Sequence, residues 1–189
     1  MEPESAPWLV VGLGNPGSRY VRTRHNIGWL ALDALASDPF REEKRFEGAV
    51  SRLGEAWLLK PSTFMNLSGV SARALADFYK IPHGRVLVVL DDAALPFGRL
   101  RVRPAGSAGS HNGLESVLTH FATEEVPRLR IGIGAPPEHV SLHDHVLMPF
   151  IAEEAGKLPI ALDRAAEAIR WILKKGLAAA MNEFNKEGL

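Results

Sequence analysis

His25 and Asp91 are side chains whose types and positions could carry out a proton transfer. His25 stands in Thr23-Arg24-His25-Asn26, at the expected start of a helix, where the positive helix end disfavours an imidazolium and keeps the ring able to accept a proton. Asp91 ends the apolar run Val86 to Leu90. If the strands before the two residues lie side by side, the carboxylate can orient the second ring nitrogen, which is the arrangement of a general base. Three of the six Asn, namely Asn15, Asn66 and Asn112, fall in expected strand-to-helix loops. A carboxamide can grip a peptide carbonyl, hold a water or stabilise an oxyanion without adding charge. Arg99, Arg101 and Arg103 alternate on one expected strand, and Arg128 and Arg130 on another. Each set therefore shares a face, which suits phosphate contact or, equally, a charged and protected sheet edge.

Other patterns point to less. Gly12-Leu13-Gly14-Asn15-Pro16-Gly17 fits G-x-G-x-x-G after a strand. Pro16 and the polar stretch from Ser18 to Arg24 delay the helix, however, and no acid ends a second strand about 20 residues on, so a tight turn is favoured over a dinucleotide site. His143-Asp144-His145 offers two imidazoles in an expected loop but no clear third ligand, and the chain has no Cys. Neither a metal nor a cofactor is expected. The serine-elbow, P-loop and zincin patterns are missing.

The elements that must position these groups alternate. Trp8 to Leu13 reads as a buried strand, followed by a helix from about His25 with Ile27, Leu30, Ala31, Ala34 and Leu35 on one face. Arg45 to Leu53 and Ala56 to Lys60 form an expected hairpin, and Leu67, Val70, Ala74, Leu75 and Phe78 line a helix that Pro82 closes. Strands follow at Val86 to Leu90, Leu100 to Arg103 and Arg128 to Gly134, with a helix from about Asn112 to Phe121. The last 30 or so residues are helical, with Gly176 as a break. This order predicts a single-domain α/β fold: a mixed, largely parallel twisted sheet flanked by helices on both faces, over residues 1–189, with 1–7 a flexible extension. Ligands of such sheets gather beyond the carboxyl ends of the strands, where Asn15, Lys60 to Asn66, Asp91-Asp92 and His111-Asn112 all fall.

With 189 residues, 46% of them hydrophobic, the chain can bury a core, and 22 basic residues balance 22 acidic ones. A polyanionic partner would need a local basic patch. No run approaches the roughly 18 apolar residues of a membrane span, so a soluble cytoplasmic protein is expected.

The run Val10-Val11-Gly12-Leu13-Gly14-Asn15-Pro16-Gly17, with Tyr20 and Thr23-Arg24-His25-Asn26-Ile27-Gly28, closely resembles the bacterial-type peptidyl-tRNA hydrolase family. Lys60-Pro61, Phe64-Met65-Asn66-Leu67-Ser68-Gly69, Asp91 to Gly98, Gly109-Ser110-His111-Asn112-Gly113-Leu114 and Arg128 to Gly134 match that family's blocks in order. The resemblance implies a monomer without metal or cofactor that hydrolyses the ester between a peptide and the 3′ ribose of tRNA. By the same likeness His25 and Asp91 are catalytic, while Asn15, Tyr20, Met65, Asn66, His111 and Asn112 bind substrate. Arg103 and Arg130, with Arg101 beside them, would take phosphate of the tRNA near the acceptor stem and 3′ end. Ala94, Ser110 and Ala135-Pro136-Pro137 depart from the family pattern, though none removes a proposed catalytic group. A non-catalytic RNA-binding relative of the same fold is the alternative.

Overall fold

Runs of β-branched and leucine residues, interrupted by segments of helical period, build a seven-stranded mixed sheet with helices on both faces. The computed structural model describes residues 6–186, so most of the expected N-terminal extension lies outside the described residues. The elements are β1 (Leu9–Gly12), α1 (Ile27–Leu35), β2 (Arg41–Glu43), β3 (Gly48–Leu53), β4 (Ala56–Pro61), α2 (Ser68–Phe78), β5 (Val86–Asp92), β6 (Leu100–Arg103), α3 (Asn112–Phe121), β7 (Arg128–Gly132), α4 (Leu142–Leu147), α5 (Ala152–Lys175) and α6 (Leu177–Phe184). Strand order is β2-β3-β4-β1-β5-β7-β6. The inner strands β4, β1, β5 and β7 are parallel, while β2, β3 and β6 join antiparallel.

Alternation along β1 and β5 divides the core in two. Val10, Leu87 and Val89 face α1, α5 and α6, whereas Leu9, Val11, Val86, Val88 and Leu90 face α2 and α3. Because β5 is buried on both faces, it reads as an unbroken apolar run. Gly12 and Gly28 allow the closest approach of α1 to the sheet. A Cβ on Gly12 would lie 2.6 Å from the Gly28 carbonyl oxygen, so the glycine of the apparent nucleotide motif serves helix–strand packing. That contact lays the residues just before α1 over the carboxyl ends of β1 and β5.

Several expected boundaries move. The first hairpin strand begins at Gly48 rather than Arg45, because Lys44–Phe46 form a 3-10 turn. Edge strand β2 is fully exposed and has no apolar alternation to betray it. His25 lies in a 3-10 turn, Arg24–Asn26, that leads into α1 at Ile27. The last strand ends at Gly132 rather than Gly134. The expected loop at His143 to His145 is instead helix α4, capped by Ser141, whose Oγ accepts the Asp144 N–H at 3.0 Å. At six residues it is too short to show a period. Helix α5 starts at Ala152, well before the expected start, and carries Pro159 internally. Its first turn is held by Glu154, which accepts the Ile151 N–H at 2.9 Å and pairs with Arg24 at 2.7 Å.

Candidate active site

Parallel strands β1 and β5 are neighbours, with Gly12 opposite Val89, so the loop after β1 and the acid at the end of β5 open at one edge. Asp91 is buried and accepts from two imidazoles. His25 Nδ1 lies 2.9 and 3.0 Å from its two carboxylate oxygens, and His111 Nε2 lies 2.8 Å from Oδ1. The rings are 4.9 Å apart between centroids. Burial, the largest influence, would push the Asp91 carboxyl up, but the charges and hydrogen bonds of His111 and His25 outweigh it and hold the group well below the usual carboxylate range. Asp91 is thus a carboxylate that accepts two N–H bonds.

The backbone assigns the tautomer of His111, and the Asp91 carboxylate that of His25. His111 is the N-cap of α3, and its Nδ1 accepts the Leu114 N–H at 3.2 Å, so Nε2 carries the proton that Asp91 receives. His25 donates from Nδ1 to the same carboxylate, which leaves Nε2 as an acceptor toward the cleft. Among the described residues His25, Asp91 and His111 are the group whose potential ligand atoms converge, within 4.8 Å. A metal on His111 Nε2 would require a proton on Nδ1, which already faces a backbone N–H, so this donor set fits hydrogen bonding better than ligation. His143 and His145 do not converge either. His145 is buried with Nε2 3.0 Å from the Gly134 carbonyl, while His143 is exposed.

The Asn residues form a second group. Asn15 is buried and its Oδ1 accepts the Met65 N–H at 2.8 Å, which ties the loop after β1 to the loop after β4. Its own backbone is clamped on both sides by Asn26, whose Oδ1 accepts the Asn15 N–H at 2.9 Å and whose Nδ2 donates to the Asn15 carbonyl at 3.0 Å. Asn15 therefore presents its amide Nδ2 to the cleft. Met65 is buried under α3, where any side chain at Gly113 would collide with its sulfur. Asn15, Tyr20, Met65, Asn66 and Asn112 line one cavity of about 240 Å³ with His25. His25, Asp91, His111, Asn112 and Arg130 line a second of about 470 Å³. The cavities share His25 and Asn112, so the two form one cleft with the imidazole at its waist.

The basic strands are antiparallel neighbours, with Arg101 opposite Arg130 and Arg103 opposite Arg128, and all four point to one face. Arg128, however, is buried and donates its guanidinium N–H groups to the carbonyls of Val126, Gly106 and Glu124. Burial and the neighbouring Arg130 charge push it down to about 10, so it remains a cation at neutral pH while tying the loop before α3 to the loop after it. Arg130 reaches Asp92 at 3.4 Å and borders the larger cavity, and Arg101 and Arg103 lie beside it on edge strand β6. Asn26 and Arg24 carry no signal of their own in the sequence. The Asn26 clamp appears only once the chain is folded, as does the Arg24 bond to the His145 and Met148 carbonyls at 3.3 Å that ties α4 beside His25.

A family model described as peptidyl-tRNA hydrolase matches residues 9–189. The peptidyl-tRNA hydrolase of Chloroflexus aurantiacus is 48% identical over 189 residues, spanning 94% of this chain and 98% of that protein. That of Synechococcus elongatus is 45% identical over 199 residues, spanning 98% and 96%. The crystal structure of peptidyl-tRNA hydrolase from Acinetobacter baumannii superposes with a TM-score of 0.87 at 32% identity, covering 98% of this chain and 97% of that one. Shared fold and sequence over nearly the whole length place the chain in a single lineage with these proteins: it belongs to the peptidyl-tRNA hydrolase family.

Proposed function

We propose that this protein hydrolyses the ester between a peptide and the 3′ ribose of tRNA, with His25 as general base. The single observation that carries the assignment is the contact of His25 Nδ1 with the buried Asp91 carboxylate at 2.9 Å while the ring lines both cavities, an arrangement in which Nδ1 donates and Nε2 is left to accept. A water held between Nε2 and Asn112 gives a proton to His25 as its oxygen bonds to the ester carbonyl carbon; the tetrahedral intermediate then breaks its bond to the ribose 3′-oxygen, which takes that proton from His25 and leaves as the hydroxyl, freeing the peptide acid. A positioned base contributes roughly 10²- to 10⁴-fold in rate. The carboxylate of Asp91 then faces the imidazolium, and its charge stabilises the transition state. His111 supports this by holding Asp91 ionised and in place.

The peptide occupies the smaller cavity, where the Asn15 amide and Asn66 bind its backbone and Tyr20 and Met65 form the wall. The larger cavity takes the terminal nucleotide, and Arg101, Arg103 and Arg130 bind phosphate of the acceptor end, contacts that position RNA without reading its sequence. Among the described residues no helix is long and apolar enough to cross a membrane. A monomer acting in the cytoplasm without metal or cofactor is the form the family resemblance supports.

The test is release of N-acetylamino acid from labelled N-acetylaminoacyl-tRNA by the wild type and by His25→Ala, with unblocked aminoacyl-tRNA as control. Release from the blocked substrate, lost in the variant while its melting curve is unchanged, is the expected result. Binding of this tRNA without cleavage by the wild type would favour a non-catalytic RNA-binding role.

A further inference from the structure

Helix α4 brings to the waist of the cleft a second imidazole that the proton transfer above does not use. His143 lines both the 470 Å³ and the 240 Å³ cavities, and among the described residues it shares that place with His25, Asn112 and Val146 alone. His143 and Val146 come from α4, His25 from the 3-10 turn before α1 and Asn112 from the start of α3, so the junction is bordered from two sides. The side chain of His143 is 79% exposed, and its Nδ1 lies 3.4 Å from Asp144 Oδ1. Asp144 is itself an anion, held below its ordinary range by the Ser141 hydroxyl and by His143. A carboxylate beside Nδ1 favours a proton on that nitrogen, which leaves Nε2 as the ring position that can accept.

What the substrate places at this junction follows from the proposed function, on which the inference rests. The scissile ester lies there, and beside it the ribose 2′-hydroxyl. The ester carbonyl can only accept a hydrogen bond, whereas the 2′-hydroxyl can donate one. We infer that His143 accepts a hydrogen bond from the 2′-hydroxyl of the terminal ribose and so holds the ester carbonyl toward His25. His143 is then a substrate-binding residue that distinguishes a ribose from a deoxyribose at the reacting end. Val146 supplies the apolar wall next to it, and Arg130 takes charge at the far end of the larger cavity.

The experiment is a cycle between the protein and the substrate. Wild type and His143→Ala are assayed on N-acetylaminoacyl-tRNA ending in adenosine and on the same substrate ending in 2′-deoxyadenosine with the ester on its 3′-oxygen. One hydrogen bond corresponds to roughly a 3- to 10-fold effect on kcat/KM. On the natural substrate His143→Ala should lose that factor, chiefly through KM, with an unchanged melting curve because the side chain is exposed. Removing the hydroxyl should cost the wild type roughly 3- to 10-fold more than it costs the variant. The intrinsic effect of the hydroxyl on ester reactivity is common to both enzymes and cancels. His143→Gln, which keeps an acceptor, should recover part of the loss. Losses that simply multiply would overturn the inference while leaving ester hydrolysis intact. Failure of the wild type to cleave the natural substrate would instead overturn the hydrolase reading and this inference together.

Discussion

Replacing Asp91 by Asn separates the two jobs that its carboxylate performs. The carboxylate accepts three close approaches from two N–H donors: His25 Nδ1 approaches both oxygens, and His111 Nε2 approaches Oδ1. An Asn has one acceptor and one donor end. If its amide faced His111, that ring would need its proton on Nδ1, against the Leu114 N–H that Nδ1 already accepts. The arrangement that satisfies every group keeps the oxygen on His111 and turns the amide toward His25. With the amide in place of Oδ2, 3.0 Å from His25 Nδ1, a proton on Nδ1 would face an amide N–H, which favours the tautomer that accepts at Nδ1 and carries its proton on Nε2, where it no longer serves as a base. The expected result for Asp91→Asn is therefore a kcat lower by about 10²- to 10⁴-fold, about 3–5 kcal/mol of barrier.

The cost to folding is smaller, about 1–2 kcal/mol, since a charge-assisted bond becomes a neutral one while every polar group keeps a partner. Single-turnover release from N-acetylaminoacyl-tRNA, urea melts and ¹⁵N imidazole spectra measure the three quantities. Because the folded state holds the Asp91 carboxyl below its unfolded value of about 3.9, its contribution to stability is fully present above that value and fades as pH falls toward the folded one. The stability gap between wild type and Asp91→Asn should accordingly be constant from neutral pH to about 5 and narrow in stronger acid. A kcat within about threefold of wild type, or a His25 still protonated at Nδ1 in the variant, would refute this account of the tautomers.

Two further outcomes are expected. Asn15→Ala leaves the Met65 N–H without its acceptor and removes the amide donor from the cleft, so it should lower stability by about 1–3 kcal/mol and raise KM; calorimetry and steady-state kinetics on the same preparation check both. Arg103→Ala combined with Arg130→Ala should leave kcat nearly unchanged and lessen the dependence of log KM on log salt by about one unit for each phosphate the protein no longer binds, whereas an unchanged salt slope would exclude these residues from RNA binding.

Much of the sheet was legible because its strands carry strong patterns. The unbroken apolar run of β5 and the helical stripe of α1 have one reading each, and the family blocks fall in loops that the alternation already marked. Elements without such a pattern were not legible. Strand β2 has no buried residue, α4 is shorter than two turns, and α5 runs through a proline that local rules treat as a stop. Arg128 shows the same limit at the level of one side chain. It alternates with Arg130 on the same strand face, yet it is buried and bonded to carbonyls of the loops on either side of α3, a fate set by what packs above it.

Which residues could act was therefore written in residue type and loop position. His25, Asp91 and the three Asn are recognisable because few side chains can exchange a proton or hold an oxyanion, and because parallel sheets bring loop residues to one edge. How they act was decided only by the fold. The close approach of Gly12 and Gly28, the Asn26 clamp on Asn15 and the contact of His25 with Asp91 join residues 11 to 66 positions apart, and the local cap on His111 bears on the site only because the other ring nitrogen meets Asp91, 20 positions away. Tautomer and hydrogen-bond direction depend on which donor meets which acceptor in three dimensions, and no local pattern along the chain records that.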